Sequence, residues 1–133
     1  KQDDVHGSGT NGGPILTYNS STGVFTFAQT AYYLITFTHY AYANNIDSRY
    51  IEHYLYVSWN QGANYDLHAY GTAHITNGQS GNNHQGQTSS SIVSGTPNTR
   101  LRFKVQCNNG SVYTGSDTYS QTTGFTIAKV AGI

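Results

Sequence analysis

Residues 18–37 decide the fold class of this chain, and their sequence is YNSSTGVFTFAQTAYYLITF. Bulky apolar side chains recur at alternate positions in residues 24–28 and again in residues 32–37, while Asn, Ser, Thr and Gly cluster before the first run. Alternation with a period of two is typical of half-buried β-strands, and such polar clusters are typical of turns. The stretch therefore predicts a turn, a strand, a second turn and a second strand.

The same pattern continues along the rest of the chain, with Gly, Asn, Ser and Pro clusters between short alternating runs. No segment has a helical period, and no internal repeat is present. Many short strands in one chain favour a two-sheet sandwich, of which the jelly roll is one arrangement. We predict a flexible lead or stem junction at residues 1–13 and one domain at residues 14–133. The predicted strands are residues 15–18, 24–28, 32–43, 50–59, 65–75, 87–94, 100–106, 112–113 and 123–130.

Composition limits the possible partners and cross-links. The 133 residues include six Lys and Arg, six Asp and Glu, and a single cysteine, Cys107, which excludes an intrachain disulfide. We expect Cys107 to be buried, since it shares a strand face with Leu101, Phe103 and Val105; a disulfide between chains is the alternative. Sparse charge argues against nucleic-acid binding. No apolar run approaches the roughly 20 residues of a membrane helix, so no membrane insertion is expected.

One basic cluster stands out from this low charge. Arg100, Arg102 and Lys104 alternate along one predicted strand, so they share a face. We expect a solvated strand face or salt bridges between subunits, and an anionic ligand is the alternative.

Two blocks of sequence carry a family resemblance. Residues 18–37 contain Tyr-Asn-x-x-Thr-Gly-x-Phe-Thr followed by Tyr-Tyr-x-x-x-Phe, while residues 112–117 and 123–127 read VYTGSD and TGFTI. These motifs resemble the globular head domain of the C1q/TNF-like family, and their order and separation fit one complete head. The resemblance implies an all-β, two-sheet antiparallel jelly-roll sandwich. Ala31 replaces a usual Gly, the match is weaker through residues 61–99, and no collagen stem is present, which indicates a divergent member.

Two predicted strands are apolar or aromatic on both faces. In residues 50–59, Leu55, Val57 and Trp59 should enter the core. In residues 32–43, Tyr33, Ile35 and Phe37 alternate with Tyr32, Leu34, Tyr40 and Tyr42, so both faces carry side chains suited to burial. In a monomer, the opposite faces of these strands would expose large aromatic patches to water, and such patches usually mark interfaces. The family resemblance implies a homotrimer; singly exposed tyrosines are the alternative. The candidate interface residues are Tyr32, Leu34, Tyr40, Tyr42, Tyr54 and Tyr56.

The titratable residues predict neither catalysis nor a metal site. Asp47, Glu52, Asp66 and Asp117 are far apart and match no catalytic motif, so we expect no enzyme and no cofactor. Among six histidines, His68 and His74 would share a strand face roughly 20 Å apart, too far to bind one ion. A metal site between strands or on a threefold axis stays open. Some C1q-like heads bind calcium, but residues 67–116 contain no Asp or Glu, so this site is not expected here.

The most distinctive predicted loop spans residues 76–87 and is rich in amides. Amides both donate and accept hydrogen bonds, which suits sugar hydroxyls, and a nearby tyrosine ring could stack on a sugar. The resemblance adds that lectin behaviour is known among C1q-like proteins; a solvated connection is the alternative. The candidate ligand-binding residues are Tyr70, His74, Asn77, Asn82, Asn83 and His84.

Taken together, these features predict a non-catalytic, trimeric, extracellular recognition domain that binds carbohydrate or another surface ligand. The contrasting prediction is the trimerising tip or receptor-binding head of a viral, phage or spore-surface fibre, located on the virion or spore surface. Possible N-glycosylation triplets at Asn19 and Asn109 suit a secreted protein.

Overall fold

The described part of the chain consists of nine β-strands joined by turns. A computed structural model describes residues 15–44, 48–75, 82–108, 112–114 and 123–132. The predicted lead at residues 1–13 lies outside these ranges, as do Asn77 and Asp117. The strands are β1 (Leu16–Asn19), β2 (Val24–Phe27), β3 (Ala31–Asn44), β4 (Ser48–Ser58), β5 (Asp66–Ile75), β6 (Asn82–Gly95), β7 (Arg100–Cys107), β8 (Val112–Thr114) and β9 (Gly124–Gly132).

The strands form two antiparallel sheets. The first has five strands in the order β1-β2-β7-β4-β5. In the second, β3 is central, with β6 along one side and both β9 and β8 along the other. The all-β prediction is confirmed, since no helix occurs among the described residues. The described chain accordingly has no helix that is long and apolar enough to span a bilayer.

The turn between β1 and β2 illustrates how local sequence sets the fold. The side-chain oxygen of Asn19 accepts hydrogen bonds from the backbone N–H groups of Ser21 (3.0 Å) and Thr22 (3.3 Å). Gly23 then adopts φ +67°, a conformation that L side chains rarely adopt, and donates its N–H to the Asn19 carbonyl at 2.9 Å. This turn aligns Leu16 opposite Phe27 at the far end of the hairpin, and both side chains are buried.

The core lies between the two sheets and follows the predicted alternation. Tyr33, Ile35 and Phe37 on β3 are buried, and they face Leu55 and Val57 on β4, also buried, as predicted. Burial of each large apolar side chain contributes roughly 1.5–3 kcal/mol. Tyr33, Ile35, Leu55 and Val57 form the main buried cluster together with Leu16, Phe27, Ala31, Val93 and Leu101.

Three sequence-based expectations need correction. Trp59 does not enter the core: it is 47% exposed, because β4 ends at Ser58, whose buried hydroxyl accepts the N–H of Gly62 at 2.9 Å and turns the chain. Strand β6 begins at Asn82, five residues before its predicted start, so the second half of the amide-rich loop is strand. Cys107 packs against Ala41 and Ile51 in a small second cluster, but it is half-buried rather than buried.

Candidate functional site

The outer face of the β6-β3-β9 sheet is built almost entirely from uncharged side chains. Leu34 has Ile92 of β6 as one cross-strand neighbour and Ala128 of β9 as the other. The adjoining rows carry hydroxyls, which pair across β3 and β6: Thr36 with Ser90 and Thr38 with Thr88, each at 2.9 Å between side-chain oxygens. We call this surface the uncharged face, and its members are Tyr32, Leu34, Thr36, Thr38, Tyr40, Thr88, Ser90, Ile92, Thr126 and Ala128.

The outer face of the five-stranded sheet has a different chemistry. Three positions of β4 project there, and antiparallel pairing places Glu52 beside Gln106, Tyr54 beside Lys104 and Tyr56 beside Arg102 of β7. On the other side of β4, Tyr54 is paired with Tyr70 of β5. We call this surface the aromatic face, and its members are Glu52, Tyr54, Tyr56, Tyr65, Tyr70, Arg102, Lys104 and Gln106.

Glu52 organises one end of the aromatic face. Its carboxylate accepts hydrogen bonds from the Tyr54 hydroxyl at 2.5 Å, the Tyr70 hydroxyl at 3.1 Å and the Gln106 amide at 3.1 Å. These donors, with Tyr54 first, lower the pKa of Glu52, and nearby Lys104 adds to the effect. The same bond raises the pKa of Tyr54 far above its ordinary value. The carboxylate is therefore ionised and held by three donors, and the tyrosine rings are fixed in place.

The aromatic rings lie close together along this face. The Tyr54 ring stacks on Tyr56 with centroids 5.8 Å apart and lies 5.6 Å from the Tyr70 ring. The Lys104 ammonium lies over the Tyr54 ring at 5.5 Å. Rings with polar ends and fixed orientation are suited to contact ligands that have both apolar and hydroxyl-bearing surfaces.

At the other end of the aromatic face is an open cleft of about 540 Å³. Arg102 lies in its wall, with its guanidinium carbon 4.3 Å from the centroid of the Tyr65 ring. The cleft is lined by Thr22, Tyr56, Tyr65, Arg102, Phe103 and Lys104.

A second polar cluster lies inside the sandwich, where two histidines join the sheets. His39 of β3 and His53 of β4 are fully buried, and their Nδ1 atoms are 2.6 Å apart, which requires that one donates and the other accepts. His53 Nε2 is 2.6 Å from the Ser89 hydroxyl, while no described group bonds His39 Nε2. Gly71 leaves room for this pair, because a Cβ there would lie 2.5 Å from His53 Nε2.

Burial keeps this histidine pair neutral. Desolvation, together with the charge of His53, lowers the pKa of His39 from its ordinary 6.5 to about 4, and desolvation also lowers the pKa of His53. Ser89, His53 and His39 have the order of a nucleophile, a base and an orienting group. However, desolvation lowers the pKa of both histidines, and no carboxylate among the described residues lies beside the pair to stabilise a protonated ring in the interior.

The described members of the predicted ligand-binding set lie on two strands, β5 and β6, which belong to different sheets. Tyr70 and His74 are exposed on β5, and Tyr70 belongs to the aromatic face. Asn82, Asn83 and His84 belong to the first residues of β6, where they pair with residues 42–44 of β3. Asn77 lies outside the described residues. His68, expected to share a face with His74, instead places Nε2 3.2 Å from the Ile92 carbonyl oxygen, because β5 has a register irregularity beside it.

The six predicted interface residues do not share one surface. Tyr32, Leu34 and Tyr40 lie on the uncharged face, whereas Tyr54 and Tyr56 lie on the aromatic face, on the opposite side of the sandwich. Tyr42 lies on β3, where its backbone pairs with His84 and Tyr113. A single flat contact cannot bury both sets.

Sequence reasoning missed two features of these sites. His39 and His53 follow the inward alternation of Phe37 and Leu55, which could have marked them as buried, but not as a bonded pair. The stacking of Arg102 on Tyr65 joins β7 to the segment before β5, and no local pattern predicts it.

Within the described ranges, no three His, Cys, Asp or Glu side chains are grouped closely enough to hold a metal ion. Comparison with known proteins adds no further constraint. No protein-family model matches the chain, and no curated protein matches it either.

Proposed function

We propose that this chain is a non-catalytic, trimeric, extracellular recognition domain with a C1q/TNF-like jelly-roll fold, and that it binds carbohydrate or another surface ligand. The observation that carries the proposal is the aromatic face, where Tyr54, Tyr56 and Tyr70 are held in a solvent-facing group around one ionised carboxylate.

The order of the strands supports the jelly-roll part of the proposal. The chain passes from one sheet to the other between β2 and β3, β3 and β4, β5 and β6, β6 and β7, and β7 and β8. As a result, β7 lies between β2 and β4 in the sheet, although both of these strands are far from β7 in the sequence. Long returns of this kind are typical of Greek-key arrangements, two of which make a jelly roll.

The uncharged face supports the trimer. Tyr32, Leu34 and Ile92 are large apolar side chains that are 43%, 38% and 60% exposed on adjacent strands. Continuous apolar surface without charge is typical of interfaces between subunits. The trimer contact would therefore use the sheet that contains β3, as in the family that the sequence resembles.

The aromatic face supports the choice of ligand. Tyrosine rings can contact the apolar faces of sugar rings, while Glu52 and Gln106 supply an acceptor and a donor for hydroxyl groups. Of the residues predicted from sequence to bind ligand, Tyr70 lies within this group. The proposed carbohydrate site is thus on the sheet face rather than centred on the amide-rich segment.

A second candidate is the trimerising tip or receptor-binding head of a viral, phage or spore-surface fibre. It is favoured by one observation: β3, β6 and β9 together carry a single formally charged residue, Lys129. Such a sheet suits permanent burial in a stable trimer, whether or not a ligand is bound.

A glycan array separates these candidates. The wild-type trimer, a Tyr70→Ala variant and an Asn77→Ala/Asn82→Ala variant would be compared, each with its mass checked by light scattering. We expect specific glycan binding that Tyr70→Ala abolishes and the double variant retains. Loss of binding in the double variant alone would return the site to the amide-rich segment, and an array without glycan binding would favour the structural tip.

A further inference from the structure

Arg102 is a cation at the edge of the aromatic face. Its guanidinium stacks on Tyr65, and no hydrogen bond or ion pair to it occurs among the described residues. Arg100, two residues earlier, instead donates to the carbonyl oxygens of Pro97 at 2.6 Å and Thr99 at 3.2 Å. Arg102 is therefore the guanidinium of β7 that is available to a ligand.

The contact with Tyr65 leaves N–H donors of the Arg102 guanidinium available to a ligand. The Arg102 guanidinium carbon lies over the Tyr65 ring, 4.3 Å from its centroid, while the five N–H donors of the group have no hydrogen-bond partner among the described residues. A ring behind the group also restricts its motion, which reduces the entropy lost when a ligand binds. Planar paired donors match a carboxylate, which can accept two parallel hydrogen bonds.

Among the described residues that line the cleft, the charged ones are both cations, Arg102 and Lys104. The acid on the same face, Glu52, is already held by Tyr54, Tyr70 and Gln106. An anionic group entering the cleft would thus meet two cations and no carboxylate from the described part of its lining.

The size and walls of the cleft indicate the rest of the ligand. Its volume of about 540 Å³ is within the range of roughly 300–1,000 Å³ for small-ligand sites. Tyr56 and Tyr65 contribute aromatic surface to it, and Thr22 contributes a hydroxyl. We propose that this cleft binds an acidic saccharide, with the Arg102 guanidinium holding a sugar carboxylate and the tyrosine rings flanking the sugar. This inference rests on the proposed carbohydrate-binding function and specifies its ligand class.

The test uses saccharides with and without the negative charge. Sialic-acid and uronic-acid oligosaccharides would be immobilised beside the same compounds with their carboxylates converted to methyl esters. The wild-type protein is expected to bind the acids and to bind the esters at least about tenfold more weakly, because a hydrogen bond to a charged group is worth about 1.5 kcal/mol or more. Raising the salt concentration should weaken binding to the acids alone.

Matched variants locate the contact. Arg102→Gln should lower affinity for the acids at least about tenfold, and Arg102→Lys should give a smaller loss, since it keeps the charge but not the paired donors. Lys129→Gln removes the same charge from the other sheet and should bind as wild type. Because Arg102 is exposed, the variant should fold, and an unchanged melting temperature would verify this.

Each other result would overturn the inference. Equal binding of acids and esters would reject the carboxylate contact while leaving carbohydrate binding in place. Equal losses in Arg102→Gln and Lys129→Gln would indicate a general effect of charge. Absence of binding to any saccharide would reject both the inference and carbohydrate binding, and tight binding of a single-stranded oligonucleotide instead would indicate a nucleic-acid ligand.

Discussion

The two outer faces of the sandwich arise from the same alternation of residues, yet they differ in almost every chemical respect. The two sheets differ in the number of formally charged residues. Strands β3, β6 and β9 contain one, Lys129, whereas the strands of the five-stranded sheet contain Arg49, Glu52, Asp66, Arg100, Arg102 and Lys104. On the uncharged face, hydroxyls bond to each other across strands; on the aromatic face, hydroxyls of Tyr54 and Tyr70 bond to a carboxylate. Alternation thus determines which side chains point away from the core, and the polar partners of those side chains determine what each face can bind.

The difference suggests a division of function between the sheets. A face without charge loses little free energy when it is desolvated against another copy of itself, because no ion has to leave water. A face with ionised groups in fixed positions retains directional donors and acceptors for a ligand. Subunit association and ligand binding would then use opposite sides of the sandwich.

The largest expected effect comes from placing a charge on the uncharged face. Leu34→Asp or Ile92→Asp should convert the proposed trimer to monomers, because a buried unpaired carboxylate costs several kcal/mol. Light scattering should then give about one third of the wild-type mass. Tyr40→Asp should also reduce the mass.

The matched control for this change lies on the other sheet. Leu67 pairs with Tyr56 and is 54% exposed, so Leu67→Asp makes the same substitution outside the proposed contact. Leu67→Asp and Tyr56→Asp should leave the mass unchanged. A reduced mass in these two variants, with an unchanged mass in Leu34→Asp, would assign the subunit contact to the aromatic face instead.

Acid should weaken the link between the two sheets. The His39–His53 bond joins β3 to β4, and the described groups around it include Phe37, Gly71, Gln87, Ser89 and Val105, none of them charged. The unfolded chain takes up protons near pH 6.5, but folded His39 does so only near pH 4. Stability contributed by neutral His39 is therefore complete above about pH 6.5 and declines as the pH falls toward 4.

The size of this effect follows from the difference in pKa. Between about pH 7.5 and pH 5 the free energy of unfolding should fall by about 2 kcal/mol from His39 alone. Urea denaturation at the two pH values measures it. His39→Gln should reduce the pH dependence, although it lowers stability at pH 7.5, whereas His74→Gln, at an exposed position, should retain it. Identical unfolding free energies at both pH values would show that protonation of the pair is not linked to folding.

Much of the fold could be predicted from sequence, because alternation is a local signal. All nine predicted strands occur, with close boundaries for most of them. The early start of β6 at Asn82 could not be predicted, since Asn and Gly have low strand propensity and are held there by pairing with β3. The sites required knowledge of which strands are neighbours: Glu52 is bound from β4, β5 and β7, and the His39–His53 bond crosses between sheets.

The smallest expected effect tests whether Glu52 is what fixes the aromatic face. Tyr54→Phe keeps the ring but removes the hydroxyl that donates to Glu52 and contributes most to its lowered pKa. The pKa of Glu52 should therefore rise toward its ordinary value. Tyr56→Phe is the matched control, because the Tyr56 ring stacks on Tyr54 without a hydrogen bond from its hydroxyl among the described residues. Titration of the Glu52 carboxyl carbon by NMR should resolve the two variants. Loss of stability should stay below about 1 kcal/mol, since the group faces solvent and water can replace the lost donor. An unshifted pKa in Tyr54→Phe would mean that Gln106 and Tyr70 suffice to hold the carboxylate, and the rings would then be ordered by their packing rather than by Glu52.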